Sequence, residues 1–256
     1  MTYSRGAMVG RLVGTVVGLT LLSFAIPIAA VAYPYPFFAY HTQLGRLALY
    51  SDRPFDAAAG QRILADVAAR LATSPLNDAN AHAIFVANAP WREALFFNVA
   101  QGAAGVNDYP LSNNVFIRHS DIDQDTVFGR SGRPAAPPRT FAYYAAHEIT
   151  HSLTAERLGP AHLWNRQLPQ WVREGYADYV GMGGRVDIPD LYRRWRSGDL
   201  TMDYARSGFY AHFRLLTAVM LEREHWSVDQ LIACRWTLAQ ADARMAADLA
   251  DPGASK

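Results

Sequence analysis

The sequence predicts an α+β domain behind a single N-terminal apolar helix. Three observations carry this: an uncharged run near the N-terminus, short strand-like segments confined to the first half, and helical periodicity that dominates after residue 140. A chain of 256 residues, half of them apolar, can bury a substantial core. The expected organisation is an anchor or signal segment over residues 1–40 and one domain over 41–256.

No Lys, Arg, Asp or Glu occurs between Arg11 and Arg46. The stretch Leu12–Ala32 has the length to cross a hydrocarbon layer of roughly 30 Å at about 1.5 Å per helical residue, with a kink expected at Pro27. Arg5 and Arg11 precede it and no acidic residue comes before Asp52. The positive-inside rule therefore puts the N-terminus in the cytoplasm and the rest of a membrane-anchored chain in the periplasm or outside the cell. Ala30-Val31-Ala32 also has the small-x-small form of a cleavage site, so secretion after signal removal is the alternative. The aromatic and proline-rich Tyr33–Phe38 segment suits an extended collar at the membrane interface.

Within the domain, Arg46–Tyr50, Ala83–Val86 and Asn114–Arg118 have the short apolar character of buried strands. A helix is expected from Asp56 to Ala72, where Ile63, Leu64, Val67 and Leu71 recur at helical spacing. Gly102–Asp108 and Ser131–Pro138 look like loops. Thr140 is a plausible N-cap for a helix to Leu158, with Gly159-Pro160 as its stop, and a second helix should follow Pro169 through Val180. Phe209–Glu224 and Val228–Leu249 complete a mostly helical C-terminal part.

The charge balance, 24 basic against 23 acidic residues, gives no electrostatic reason to bind nucleic acid. A lone cysteine, Cys234, rules out an intrachain disulfide and any cysteine-rich zinc site.

The chemistry sits in His147-Glu148-Ile149-Thr150-His151. Positions four apart on a helix share one face, so His147 and His151 can present two imidazoles to one metal ion, with Glu148 beside them as a general base. A metal-acidified water and a neighbouring carboxylate are the parts of a hydrolase. Catalytic zinc generally takes a third protein ligand and keeps a position open. Glu174, on the next expected helix, is the best candidate. Glu156 points away, about 140° round the helix from His151, while His162 in the connecting loop is a weaker possibility. Asp178 shares a helical face with Glu174 and could orient a liganding histidine. A packed apolar helix gives two such acids a need for a purpose.

Together, Ala146–His151 and the segment Leu168-Pro169-Gln170-Trp171-Val172-Arg173-Glu174-Gly175-Tyr176-Ala177-Asp178-Tyr179 resemble the gluzincins, the thermolysin-like and aminopeptidase-like zinc peptidases. The resemblance covers about Thr140–Val180 and more loosely the region to Leu231. It implies a zincin-like fold with a small N-terminal mixed sheet and an active-site helix. It also implies Zn2+ held by His147, His151 and Glu174, Glu148 as general base, and Asp178 as partner of His147. The substrate would be a peptide or protein.

In such enzymes a downstream tyrosine often polarises the substrate carbonyl, a place that Tyr204 or Tyr210 could fill. An edge strand ahead of the active-site helix often binds substrate backbone, a place that Asn114–Arg118 could take by analogy. The three-histidine extension of the motif is absent, because Thr154 and Arg157 stand where glycine and histidine would be needed. No amino-terminus-reading Gly-x-Met-Glu-Asn segment occurs, which tilts the expectation toward endopeptidase action. A catalytically silent binding protein of the same fold, or a zinc hydrolase of another amide or ester, are the rival expectations. Retention of Glu148 speaks against the first, since a purely structural zinc site has no use for a base.

Overall fold

In the computed structural model, residues 5–97, 100, 102–159 and 168–250 are described. The expected α+β architecture is present, built on a mixed five-stranded sheet. Strands β1 (Tyr40–Leu44) and β2 (Leu47–Ser51) form an antiparallel hairpin, whose two-residue turn uses Gly45 at φ +57°, a conformation natural to glycine. Helix α2 (Ala57–Leu71) then carries the chain to β3 (His82–Ala87), parallel to β2. The side chain of Asp56 caps α2 by accepting from Ala58 and Ala59 N–H.

After helix α3 (Pro90–Phe96) comes β4 (Gly105–Asn107), paired antiparallel with β5 (Val115–Arg118), and β5 in turn lies parallel to β3. The order β1-β2-β3-β5-β4 leaves β4 on one edge. A small hairpin, β6 (Ser120–Asp121) with β7 (Thr126–Val127), leads to the helical half.

Helix α4 (Phe141–Leu158) has little amphipathicity for a physical reason: it is surrounded. It packs against α2, β4, β5 and α5 (Gln170–Gly181), and Phe141, Ala142, Ala145, Ala146 and Ile149 are fully buried. Thr140 caps it through Tyr143 N–H. The buried hydroxyls of Thr150 and Thr154 donate to carbonyls one turn back, so neither is left unsatisfied. Helices α6 (Ile188–Arg196), α7 (Tyr204–Ser207), α8 (Ala211–Ala218), α9 (Val228–Ala233) and α10 (Leu238–Ala250) follow, and α5 packs closely on α8. The single helix expected over Val228–Leu249 is two, because Cys234 is extended at φ −63°, ψ 140° and Trp236 turns inward to accept Trp171 Nε1–H on its carbonyl.

The N-terminal expectation requires correction. Helix α1 (Arg5–Ala32) forms and runs through Pro27. Among the described residues, however, no helix is long and apolar enough to cross a membrane. Gly14, Gly18, Thr20, Ser23 and Pro27 interrupt its apolar run, and its last turn belongs to the domain. Ala30 and Val31 are buried, and Asn114 Nδ2 donates to Val31 O. The supposed collar is also part of the fold. Tyr35–Phe37 is a 3-10 turn and Phe38 is buried against Phe85 and Phe96, where these rings cover the second face of the sheet. The membrane anchor, the membrane as a partner and the periplasmic or extracellular placement that rested on it do not stand. A cleaved signal is not shown either: Ala30 and Val31 of the small-x-small stretch are buried in the fold.

Candidate metal centre

Helices α4 and α5 meet so that His147, His151 and Glu174 converge, one ligand atom from each lying within 4.8 Å of the others. Glu174 Oε2 is 3.5 Å from His147 Nε2 and 3.7 Å from His151 Nε2. Bonds of roughly 2.1 Å to a tetrahedral ion would set ligand atoms about 3.4 Å apart, so the gap fits a zinc-sized ion and its preferred N/O donors. The other carboxylate oxygen, Oε1, accepts from Arg173 Nε at 2.8 Å, which leaves Oε2 to the histidines. Burial alone would raise the Glu174 carboxyl, but the two imidazoles bonded to it hold it far below the ordinary carboxylate range.

Two glycines permit this approach. A Cβ on Gly175 would stand 2.5 Å from the Phe213 carbonyl oxygen, so glycine lets α8 press against α5 next to Glu174. A Cβ on Gly105 of β4 would stand 2.7 Å from Glu148 Cγ and 2.9 Å from its Oε1. The general-base candidate is thus seated against the edge strand. Burial, chiefly, with the nearby charges of Glu174 and Asp108, pushes the Glu148 carboxyl up to about 7, against a smaller opposite pull from His151.

Asp178 is where the helix geometry put it, yet its bonds go elsewhere. Tyr143 OH donates to its Oδ1 and Arg214 Nη1 to its Oδ2, both at 2.5 Å. His147 Nδ1 has no hydrogen-bond partner among the described residues. Tyr143 touches both, its hydroxyl bonded to the acid and its ring centre 5.7 Å from that of His147. Burial and then the neighbouring Asp178 raise the Tyr143 hydroxyl well above its usual range, keeping it a donor. Sequence reasoning missed Tyr143 and Arg214. Tyr143 carried a signal, since it lies four residues before His147 on the same helical face; Arg214, on α8, carried none.

Tyr210 stacks on His147 at 5.6 Å and 14°, and on Tyr204 at 4.9 Å and 12°. Burial first, then the charge of Glu174 and the contact with Tyr204, raise the Tyr210 hydroxyl strongly, so it too stays protonated. Both tyrosines line an open cleft of about 1050 Å³ that holds His147, Glu148, His151 and Glu174 at its base.

The cleft's walls differ from expectation. Val115–Arg118 is an interior strand between β3 and β4, and it is β4, in the stretch expected to be a loop, that forms the exposed edge and lines the cleft. A strand of three residues is too short to show alternation, and it forms because β5 offers a pairing partner. The expected loop Ser131–Pro138 forms part of the opposite wall, held by Gly129 N–H to Arg133 O and Ala135 N–H to Val127 O. Glu156 faces away and accepts from Asn113, whereas His162 lies outside the described residues.

Compared with protein-family models and with curated proteins, the chain matches none.

Proposed function

We propose that this chain is a zinc-dependent peptidase of the gluzincin kind, in which His147, His151 and Glu174 hold the metal and Glu148 is the general base. The convergence of two imidazoles and one carboxylate on a zinc-sized gap, with an independent carboxyl beside it, carries the reading. Zinc bound there supplies Lewis acidity toward a water and a carbonyl oxygen.

The chain's own residues do the rest. Glu148, near neutrality in its proton affinity, takes a proton from a water in the cleft and passes it to the leaving amine. Tyr210, protonated and stacked on His147, is better placed than the more exposed Tyr204 to donate to the developing oxyanion. The free edge of β4 favours an extended peptide over a compact ester, because unpaired strand N–H and C=O groups can continue the sheet with substrate backbone.

Metal analysis of the full chain, paired with cleavage of a peptide library, tests this. The native chain and Glu148→Gln should each hold one zinc, and Glu174→Ala should lose it. Cleavage should fall at least about 100-fold in Glu148→Gln, the usual weight of a general base. A native chain that holds no zinc would sink the proposal, and zinc without Glu148-dependent cleavage would make the chain a binding protein instead.

A further inference from the structure

Two arginines line the same cleft and have no part in the chemistry above. Arg133 is exposed on the turn after β7, and Arg139 closes the segment leading into α4. Among the described residues lining the cleft, the acids are Glu148 and Glu174, one a base and the other a ligand. A divalent ion on the cluster would leave this lining with excess positive charge. A concave wall of that sign concentrates anions.

Arg139 is held rigidly, yet much of its bonding capacity is free. The guanidinium carbon sits 4.0 Å from the centre of the Phe209 ring and Nη1 donates to Gly208 O at 3.2 Å. That leaves Nη2 with no hydrogen bond among the described residues, so it can offer a carboxylate in the cleft a charge-assisted one. Nε is buried and has no hydrogen-bond partner among the described residues, so Nη2 is the donor open to a ligand. Phe141 to His147 is about 9 Å at 1.5 Å per residue, and the two residues from Arg139 to Phe141, with Thr140 extended, add up to about 7 Å, a span that an extended peptide covers in about three to five residues.

We propose that Arg139 is a specificity residue that anchors a substrate carboxylate about three to five residues from the bond that is cut, while Arg133 draws the anion in. The carboxylate is either the C-terminus of the substrate or an Asp or Glu side chain. The inference rests on the peptidase reading of the cleft and adds its substrate class: short acidic peptides or peptide C-termini.

Fluorescence-quenched octapeptides provide the test, in matched forms carrying Glu or Gln within about five residues of each possible cut and ending in a free acid or a carboxamide. Cleavage is followed with the native chain, Arg139→Gln and Arg139→Lys, and binding of the same peptides with zinc-loaded Glu148→Gln, alone and combined with Arg139→Gln. The native chain should prefer a carboxylate form at least tenfold, through KM rather than kcat. Arg139→Gln should bring that ratio near one, and Arg139→Lys should restore part of it. The Glu/Gln pair and the acid/amide pair identify which carboxylate is read. Equal losses on charged and neutral forms would make Arg139 a structural tie only and overturn the proposal, as would a native chain indifferent to charge. Charge-dependent binding without cleavage would spare this inference and defeat the peptidase reading, whereas cleavage blind to charge would do the reverse.

Discussion

Glu148 shows how much one side chain's surroundings decide. Burial holds its carboxyl near 7 against an ordinary 4.5, so the folded metal-free chain keeps a proton that the unfolded chain releases across that window. The stability this group contributes is complete below pH 4.5 and is lost as pH rises through 7. Metal-free Glu148→Gln lacks that slope, and urea unfolding should find it gaining on the native chain by on the order of 2 kcal/mol between pH 5 and pH 8. A constant difference across that range would contradict the burial. Gly105 is the second decisive residue. Alanine there would drive its Cβ into Glu148, so Gly105→Ala should cut peptide cleavage tenfold or more while zinc content stays at one per chain. Full activity in that variant would show that the base sits elsewhere during turnover.

At the scale of elements, the packing of α5 on α8 supports the third ligand, and at Gly175 the two helices approach too closely for a Cβ. Overpacking a tight core typically costs 1–3 kcal/mol, so Gly175→Ala should lower stability by about 2 kcal/mol and weaken zinc retention alongside it. Calorimetry with metal analysis reads both, and unchanged zinc affinity would mean that Glu174 does not depend on that packing. The elements also show what the sequence made legible. The cap at Thr140 and the apolar spacing of α2 are local, and those helices form as the pattern predicts, with Asp56, read as the start of α2, capping it. Strand β1, the edge strand β4 and the β6–β7 hairpin went unrecognised, because two to five residues carry too little pattern and their pairing partners lie elsewhere in the chain. The break between α9 and α10 was likewise invisible, being set by Trp236 docking on Trp171.

For the whole molecule, a metal held between α4 and α5 would bind only the folded chain and so stabilise it. With zinc at 100 times its dissociation constant, the gain is about 2.7 kcal/mol, or roughly 5–10 °C in Tm for a domain of this size. Thermal unfolding should show that rise in the native chain and none in His147→Ala; a rise in both would place zinc at another site. The N-terminal helix makes the converse point about scale. Read alone its apolar run resembles an anchor, while in the fold its last turn and the aromatic residues after it cover the second face of the sheet. By itself the sequence determined the helix that carries His147, Glu148 and His151, the helix that carries Glu174, and the α+β order, since each depends on local spacing and capping. Only the tertiary structure decided that Asp178 serves Tyr143 and Arg214, that β4 is the edge facing the metal ligands, and that two arginines line the same cleft. These are contacts between segments far apart in the chain, and no local periodicity encodes which of them will meet.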